Sequence, residues 1–507
     1  MKRKHIFTTL LLFLSLYVPL SLFSQDFEMR GTTLVRYRGN AADVTIPKDV
    51  TSIGDNAFYN NKTLESVTIP ETVTFIGTRA FAGCSSLGSI EIPRGVSTIR
   101  YSAFEGCTSL TSITVDIQNN MYSSVDGVLL NKNRTVLYLY PEGKQERTYT
   151  IPTGVTSIWD SAFARCSSLT GITIPSSVIS IRFRTFYECT NLASIIIPAS
   201  VNNIGMRAFE GCSNLTDITI SEGVISIGNW VFYGCISLTT ITIPSSVTSI
   251  KEDAFNGCTI LTTITVDIQN NAYSSVDGIL FNKDRTVIFK FPEGKWETTY
   301  TVPTGVTSIG GNAFNRCTRL TSITIPESVT FIGYAAFNGC SSLTSITIPA
   351  GVTSISDFTF SECRSLTSVT IPNYVTSIGG SAFNGCSNLA SVIIPESVTS
   401  IGNGAFWGCI RLADITIPQG VTSIENNVFI NCASLTSVAI PENVTSIGRS
   451  AFMGCSRLTS ITIPSSVASI GDNAFSRCYA LRTVEIFRKT RIGMDVFPVT
   501  AQIIYSD

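Results

Sequence analysis

The chain has 507 residues, of which 14% are charged, against about 25% in an ordinary soluble domain. Its single histidine, His5, falls in a removable leader, which excludes an imidazole general base, a Ser-His-Asp relay, a Cys-His pair and a His-ligated metal from the mature protein. The net charge of −1 becomes −4 once Lys2, Arg3 and Lys4 leave with the leader, and such a balance lacks the clustered basic face that nucleic acid requires.

Residues 1–24 have the three parts of a signal peptide. Lys2, Arg3 and Lys4 form the positive start, residues 6–16 are mostly apolar, and Ser24 is the small residue before a polar Gln25. Export is therefore expected, to the medium or the cell surface, with the periplasm as the alternative. No span is expected in the mature chain, because nothing after residue 25 is apolar for long enough. Residues 25–43 read as an N-terminal cap over the first open edge.

From residue 44 a 23-residue repeat governs the chain. Cys84 and Cys107 are one repeat apart. The same interval separates Cys166, Cys189, Cys212, Cys235 and Cys258, and again Cys317, Cys340, Cys363, Cys386, Cys409, Cys432, Cys455 and Cys478. A 59-residue gap separates each group from the next. All fifteen cysteines thus hold one phase, and Asn61 stands where the next one upstream would be.

The unit beginning at Leu458 reads LTSITIPSSVASIGDNAFSRC. Ile461-Thr462-Ile463 alternates as a brief strand, and Pro464 ends it by withdrawing a donor. Residues 467–470 form a second extended piece, Gly471 permits a turn, and residues 472–478 suit one helical turn capped by Asp or Asn. One unit cannot bury its own apolar edge, whereas stacked units can. The expected fold is a solenoid of 23-residue coils, with a parallel β-sheet on one side and short extended or helical turns on the other.

Repeats are expected at 44–115, 151–266 and 302–486, interrupted by hairpin inserts at 116–150 and 267–301. The inserts are copies: residues 114–155 match 265–306 at an offset of 151. In the first, 128–130 and 135–139 read as strands about a polar turn at 131–134. Residues 487–507 imitate the repeat without its cysteine and read as a C-terminal cap.

The run IP-xx-VTSIG-xx-AFxGC-xx-L resembles the BspA-like leucine-rich repeats, and the NxxYSSVDGVLxNKxxT segment is similar to an insert of that family. The resemblance implies a surface or secreted protein of the adhesin type, binding extracellular proteins or other cells.

Several chemistries compete at the same residues. A row of cysteines in an exported protein admits disulfides, since equivalent positions lie one strand spacing apart. In-register side chains point the same way, however, so a buried ladder of thiols bonded to nearby carbonyls is the expected arrangement. Zinc and iron–sulfur need clustered ligands rather than a line. The exposed middle residue of the first strand is Thr in eleven of sixteen units, which raises an ice-binding surface against plain β-propensity. Asp116/Asp126 and Asp267/Asp277 raise calcium, although the EF-hand order is missing. Acidic residues are scattered, with no pair set for glycoside cleavage. No cofactor is expected.

The turn glycine is replaced at Arg100, Trp159 and Arg182 in consecutive AF units. A Trp between guanidinium groups can stack a sugar or grip a partner, so these three form the candidate binding patch, against simple turn drift. Trp230, Trp296 and Trp407 read as local packing. The function expected is non-catalytic extracellular binding of proteins, cells or glycans; a passive scaffold, a polysaccharide-active enzyme and an ice-binding surface are the alternatives.

Overall fold

The structure is a computed structural model that describes residues 26–506; the leader at 1–24 lies outside them. Two compact units divide the chain. One takes residues up to Asn133 with Pro141–Gly143, the other Arg134–Tyr140 and everything from Lys144.

Within each unit the coils stack in parallel with a register of one repeat. Asp43–Thr45 pairs with Ser66–Thr68 so that Val44 opposes Val67. In the second unit Thr148–Thr150, Gly171–Thr173, Ser194–Ile197 and Asp217–Ile220 form one such sheet. A second row of two-residue strands runs beside it, as in Ser180–Ile181, Asn203–Ile204, Ser226–Ile227 and Ser249–Ile250. Alternation decides which way each residue faces: Ser345–Thr347 and Ser460–Thr462 bury their central Ile and expose the flanking hydroxyl residues.

Leu458, Ile461, Ile463, Val467, Ile470, Phe475 and Cys478 are all buried, and each heads a column repeated along the array. Each such side chain contributes about 1.5–3 kcal/mol on burial. The phenylalanines stack ring on ring between coils. In the first unit Phe58, Phe81 and Phe104 lie 4.9 and 5.6 Å apart. In the second, Phe291 to Phe497 continues the stack at 5.1–5.7 Å.

The helical turn expected at 472–478 does not form, and no helix occurs among the described residues. Its backbone bonds are divided between two partners. Ala474, Ser476 and Cys478 N–H donate three residues back, while Asn473 and Phe475 N–H donate to Met494 and Val496 carbonyls of the next coil. Asn473 and Arg477 accordingly take φ of 60°, which no α-helix tolerates. Asp472 does not cap its own turn; its Oδ1 accepts Met494 N–H of the next coil at 2.8 Å.

Hydroxyls close the remaining gaps between coils. Thr344 and Thr367 donate to the carbonyls of Thr321 and Thr344, Thr376 and Thr399 to those of Thr353 and Thr376, and Ser397 and Ser466 to those of Val375 and Val444. Each of these threonine hydroxyls adds a second bond to a carbonyl that already accepts the same residue's N–H, while the serines reach carbonyls of the preceding valine column.

At the copied segments, Tyr122–Val125 pairs antiparallel with Val128–Asn131, and Tyr273–Val276 with Ile279–Asn282. Asp126-Gly127 and Asp277-Gly278 turn with all four φ positive, from 49° to 77°. Ile279–Asn282 pairs antiparallel with Val287–Lys290 as well, and Val287–Lys290 then lies parallel to Ser308–Ile309 of the following coil. Tyr140 already stacks on Phe163 at 5.3 Å, and Phe291 on Phe314 at 5.2 Å. The ring column therefore resumes ahead of residues 151 and 302, because each 59-residue interval holds two 23-residue coils and 13 extra residues.

Candidate functional site

All fifteen cysteines are buried thiols. Each sulfur donates to the carbonyl of the ring residue 26 positions earlier, as Cys189 does to Phe163 at 2.9 Å and Cys386 to Phe360 at 3.1 Å. Burial pushes the Cys84, Cys432 and Cys478 thiols up to about 12, and those of Cys363, Cys386 and Cys409 well above the ordinary thiol range. Asn61 serves the same place differently: its Oδ1 accepts Thr63 and Leu64 N–H, both at 3.1 Å. A thiol kept protonated at neutral pH is neither nucleophile nor metal ligand.

The acidic pairs weighed for calcium close turns. Asp116 Oδ1 accepts Gln118 N–H, and Asp267 Oδ1 accepts Gln269 N–H, both at 2.7 Å.

Of the three patch residues, Trp159 and Arg182 meet. The Arg182 guanidinium lies 4.7 Å from the centre of the Trp159 ring, and its Nε donates to Asp160 Oδ1 at 2.8 Å. Tyr138 packs on the same indole at 5.2 Å, leaving Trp159 36% exposed. Arg100 belongs to the first unit, where it lies over Phe75 at 5.7 Å.

Two further tryptophans repeat the arrangement. Trp296 is 71% exposed rather than packed, with Arg319 stacked 3.8 Å from its centre. Arg207 lies 4.8 Å from Trp230. In all three cases Trp and Arg are 23 residues apart, so they sit on neighbouring coils. That spacing was the available sequence signal for Arg207 and Arg319, which column-by-column reading passes over. An exposed stack of this kind is worth about 0.5–1 kcal/mol.

Around Arg182 the side chains of the turns are dense in charge and rings. Arg184 lies 4.4 Å from the Tyr187 ring and 5.3 Å from that of Phe183. Arg165 bonds Glu188 at 3.0 Å, and Arg207 Nε stands 3.2 Å from Glu210 Oε2. Although burial opposes it, hydrogen bonds from Tyr187 and Arg165 hold Glu188 below the usual carboxylate range. Glu210 is pushed up by burial, against the pull of Arg207 and Arg184.

The comparisons bear on the repeat fold. The profile of the BspA type leucine rich repeat region matches residues 36–133, 142–275, 293–412 and 381–503. Among solved structures, a leucine-rich repeat protein from Eubacterium ventriosum is 25% identical, covers 64% of this chain and 92% of its own, and superposes with a TM-score of 0.52. A leucine-rich cell surface protein from Faecalibacterium prausnitzii is 28% identical over 80% of this chain and 89% of its own, with a TM-score of 0.48. A pneumococcal vaccine antigen is 21% identical over 78% of this chain and all of its own length (100%), at 0.45. No curated protein matches in sequence. The chain belongs to the BspA-type leucine-rich repeat family.

Proposed function

We propose that this is an exported, non-catalytic binding protein that attaches to proteins, cells or glycans outside the cell. The exposed Trp–Arg stacks carry the reading: Trp159–Arg182 and Trp296–Arg319 place two frequent binding anchors side by side on a rigid repeat. Holding a large side chain at the surface in one orientation lowers the entropy lost when a partner binds. Many such contacts along one array would add up through multivalency.

The test is saturable binding of the full chain to matrix proteins, intact cells and a glycan array. Trp296→Ala should weaken the captured interaction at least fivefold with an unchanged melting curve. Absence of saturable binding on all three surfaces would favour the passive scaffold. Protease shaving of intact cells then separates a surface protein, which is cut, from a periplasmic one, which is spared.

A further inference from the structure

Three consecutive coils of the second unit carry large side chains in their tightest turns. Arg184, Arg207 and Trp230 follow one another at 23-residue intervals in the same column, with φ of 53°, 61° and 52°. Glu188 is left-handed too, at 53°. The same turns are left-handed along the whole array, whether they hold Asn56, Gly404 and Asn427 or Arg79, Phe358 and Arg477. The left-handed turn is therefore a property of the coil, and what distinguishes this stretch is the side chains it carries, arginines and rings in place of Asn, Gly and Ser.

The charges do not cancel evenly. Arg182 pairs with Asp160, Arg165 with Glu188 and Arg207 with Glu210. Arg184 stands outside every ion pair among the described residues, and its Nε is buried without an acceptor. Tyr187 and Phe183 flank this guanidinium, and half-buried Trp230 and Tyr233 lie two coils further on.

We propose that this cluster binds a carboxylate-bearing sugar of a glycan chain, with Arg184 receiving the carboxylate and the neighbouring rings receiving the sugar faces. The inference rests on the binding reading above and names its ligand class. One unmatched guanidinium suits one carboxylate per residue, through charge-assisted bonds. Asp160, Glu188 and Glu210 lie in the same patch and repel a dense polyanion, so a sulfated chain fits poorly. The rings suit the apolar face of a pyranose.

The experiment is calorimetry of the full chain with tetragalacturonate and with sialyllactose. Their carboxyl-reduced forms, a heparin tetrasaccharide and a tetraglutamate peptide complete the set. The expected result is saturable binding to a carboxylated sugar, at least tenfold weaker when the carboxyl is reduced. Arg184→Asn should lose that binding at least tenfold while the melting temperature does not fall, since Asn accepts the left-handed backbone. Arg79→Asn, at the same column of the first unit with φ 54°, should bind as the parent does. Equal binding by Arg184→Asn, equal binding of reduced and acidic sugars, preference for heparin or tetraglutamate, or no binding at all overturns the proposal. If cells are bound but Arg184→Asn binds them equally, this site fails and the general reading stands. If the sugars bind and cells do not, the reverse holds.

Discussion

The regular coils and the two copied segments are built on the same columns but held by different chemistry. In a regular coil the column of Val224 and Val247 is apolar and buried. One repeat further along, at Asn270, the same column turns polar, and in the first unit Asn119 follows Val96 in the same way. Both asparagines have no exposed surface. Asn270 Nδ2 donates to the carbonyls of Pro244 and Val247 at 2.8 and 2.9 Å, and its Oδ1 accepts Ala272 and Tyr273 N–H, both at 2.8 Å. Asn119 does the same with Pro93, Val96, Met121 and Tyr122. In the Ile column Tyr122 and Tyr273 follow Ile99 and Ile250, and their hydroxyls accept the N–H of those residues. Where the repeat stays regular, apolar contact and stacked backbone bonds suffice. Where 13 residues are added, displaced backbone groups need side chains that donate and accept at once.

This contrast gives a direct way to break the fold. Asn270→Val restores the consensus of the column, yet it should destabilise the protein by about 3–4 kcal/mol, because the Val247 carbonyl and the Ala272 and Tyr273 N–H groups lose a partner and the Pro244 carbonyl keeps only the Val247 N–H. Chemical denaturation measures it. A smaller loss than that of Val247→Ala, about 2–3 kcal/mol from a core truncation, would show that the column tolerates either chemistry.

The two copies also differ from each other. Lys290 is buried against Glu293 at 3.4 Å, with Asn256 Oδ1 at 3.0 Å and the Asn312 carbonyl at 3.3 Å. The first copy has Leu139 at that place. Glu142 and Glu293 nevertheless share a role, accepting Gly106 and Gly257 N–H at 2.7 and 2.8 Å. The lysine is thus an addition to a segment that is complete without it. Lys290→Leu should cost about 3 kcal/mol, from leaving the glutamate charge buried. Lys290→Leu with Glu293→Gln should recover most of that loss in the same measurement, since an amide oxygen still accepts the glycine N–H.

A third prediction concerns the regular coils alone. The thiols of Cys363, Cys386 and Cys409 are raised well above the ordinary 9.0, and that of Cys84 to about 12. A raised acid is neutral in the fold, so its contribution is complete below pH 9 and is lost as pH climbs towards 12. The melting temperature should hold from pH 6 to 8.5 and fall steeply above pH 9.5. Replacing Cys363, Cys386 and Cys409 by Ala should flatten the alkaline limb. At pH 8 the native chain should take up less than one iodoacetamide per molecule by mass spectrometry, against fifteen when denatured.

The smallest expected effect tests the hydroxyl columns. Thr367→Val keeps shape and removes one bond to the Thr344 carbonyl. It should cost about 0.5–1 kcal/mol, the worth of a part-exposed hydrogen bond.

Much of this was legible in the residues themselves. The cysteine phase, the buried Leu, Ile, Val and Phe columns and a strand centred on Ile461, one residue earlier than expected, follow from periodicity, because every coil repeats the same decision between core and water. The conformation of residues 472–478 did not follow. Local propensity favours a helical turn there, but the neighbouring coil offers closer partners for Asn473 and Phe475. Asn119 and Asn270 were hidden because the 59-residue gap obscures their place 23 residues after a valine.

At the candidate site the sequence marked Arg100, Trp159 and Arg182 by their lost glycine. Only stacking showed that Arg182 meets Trp159 while Arg100 meets Phe75. The sequence by itself determined the repeat, its register and the thiol column, since a pattern that buries one face in every coil admits one way of stacking. Tertiary structure decided which side chains of adjacent coils pair. Arg165, Arg182 and Arg207 found carboxylates and Arg184 did not, because that choice depends on distances between coils and not on order along the chain.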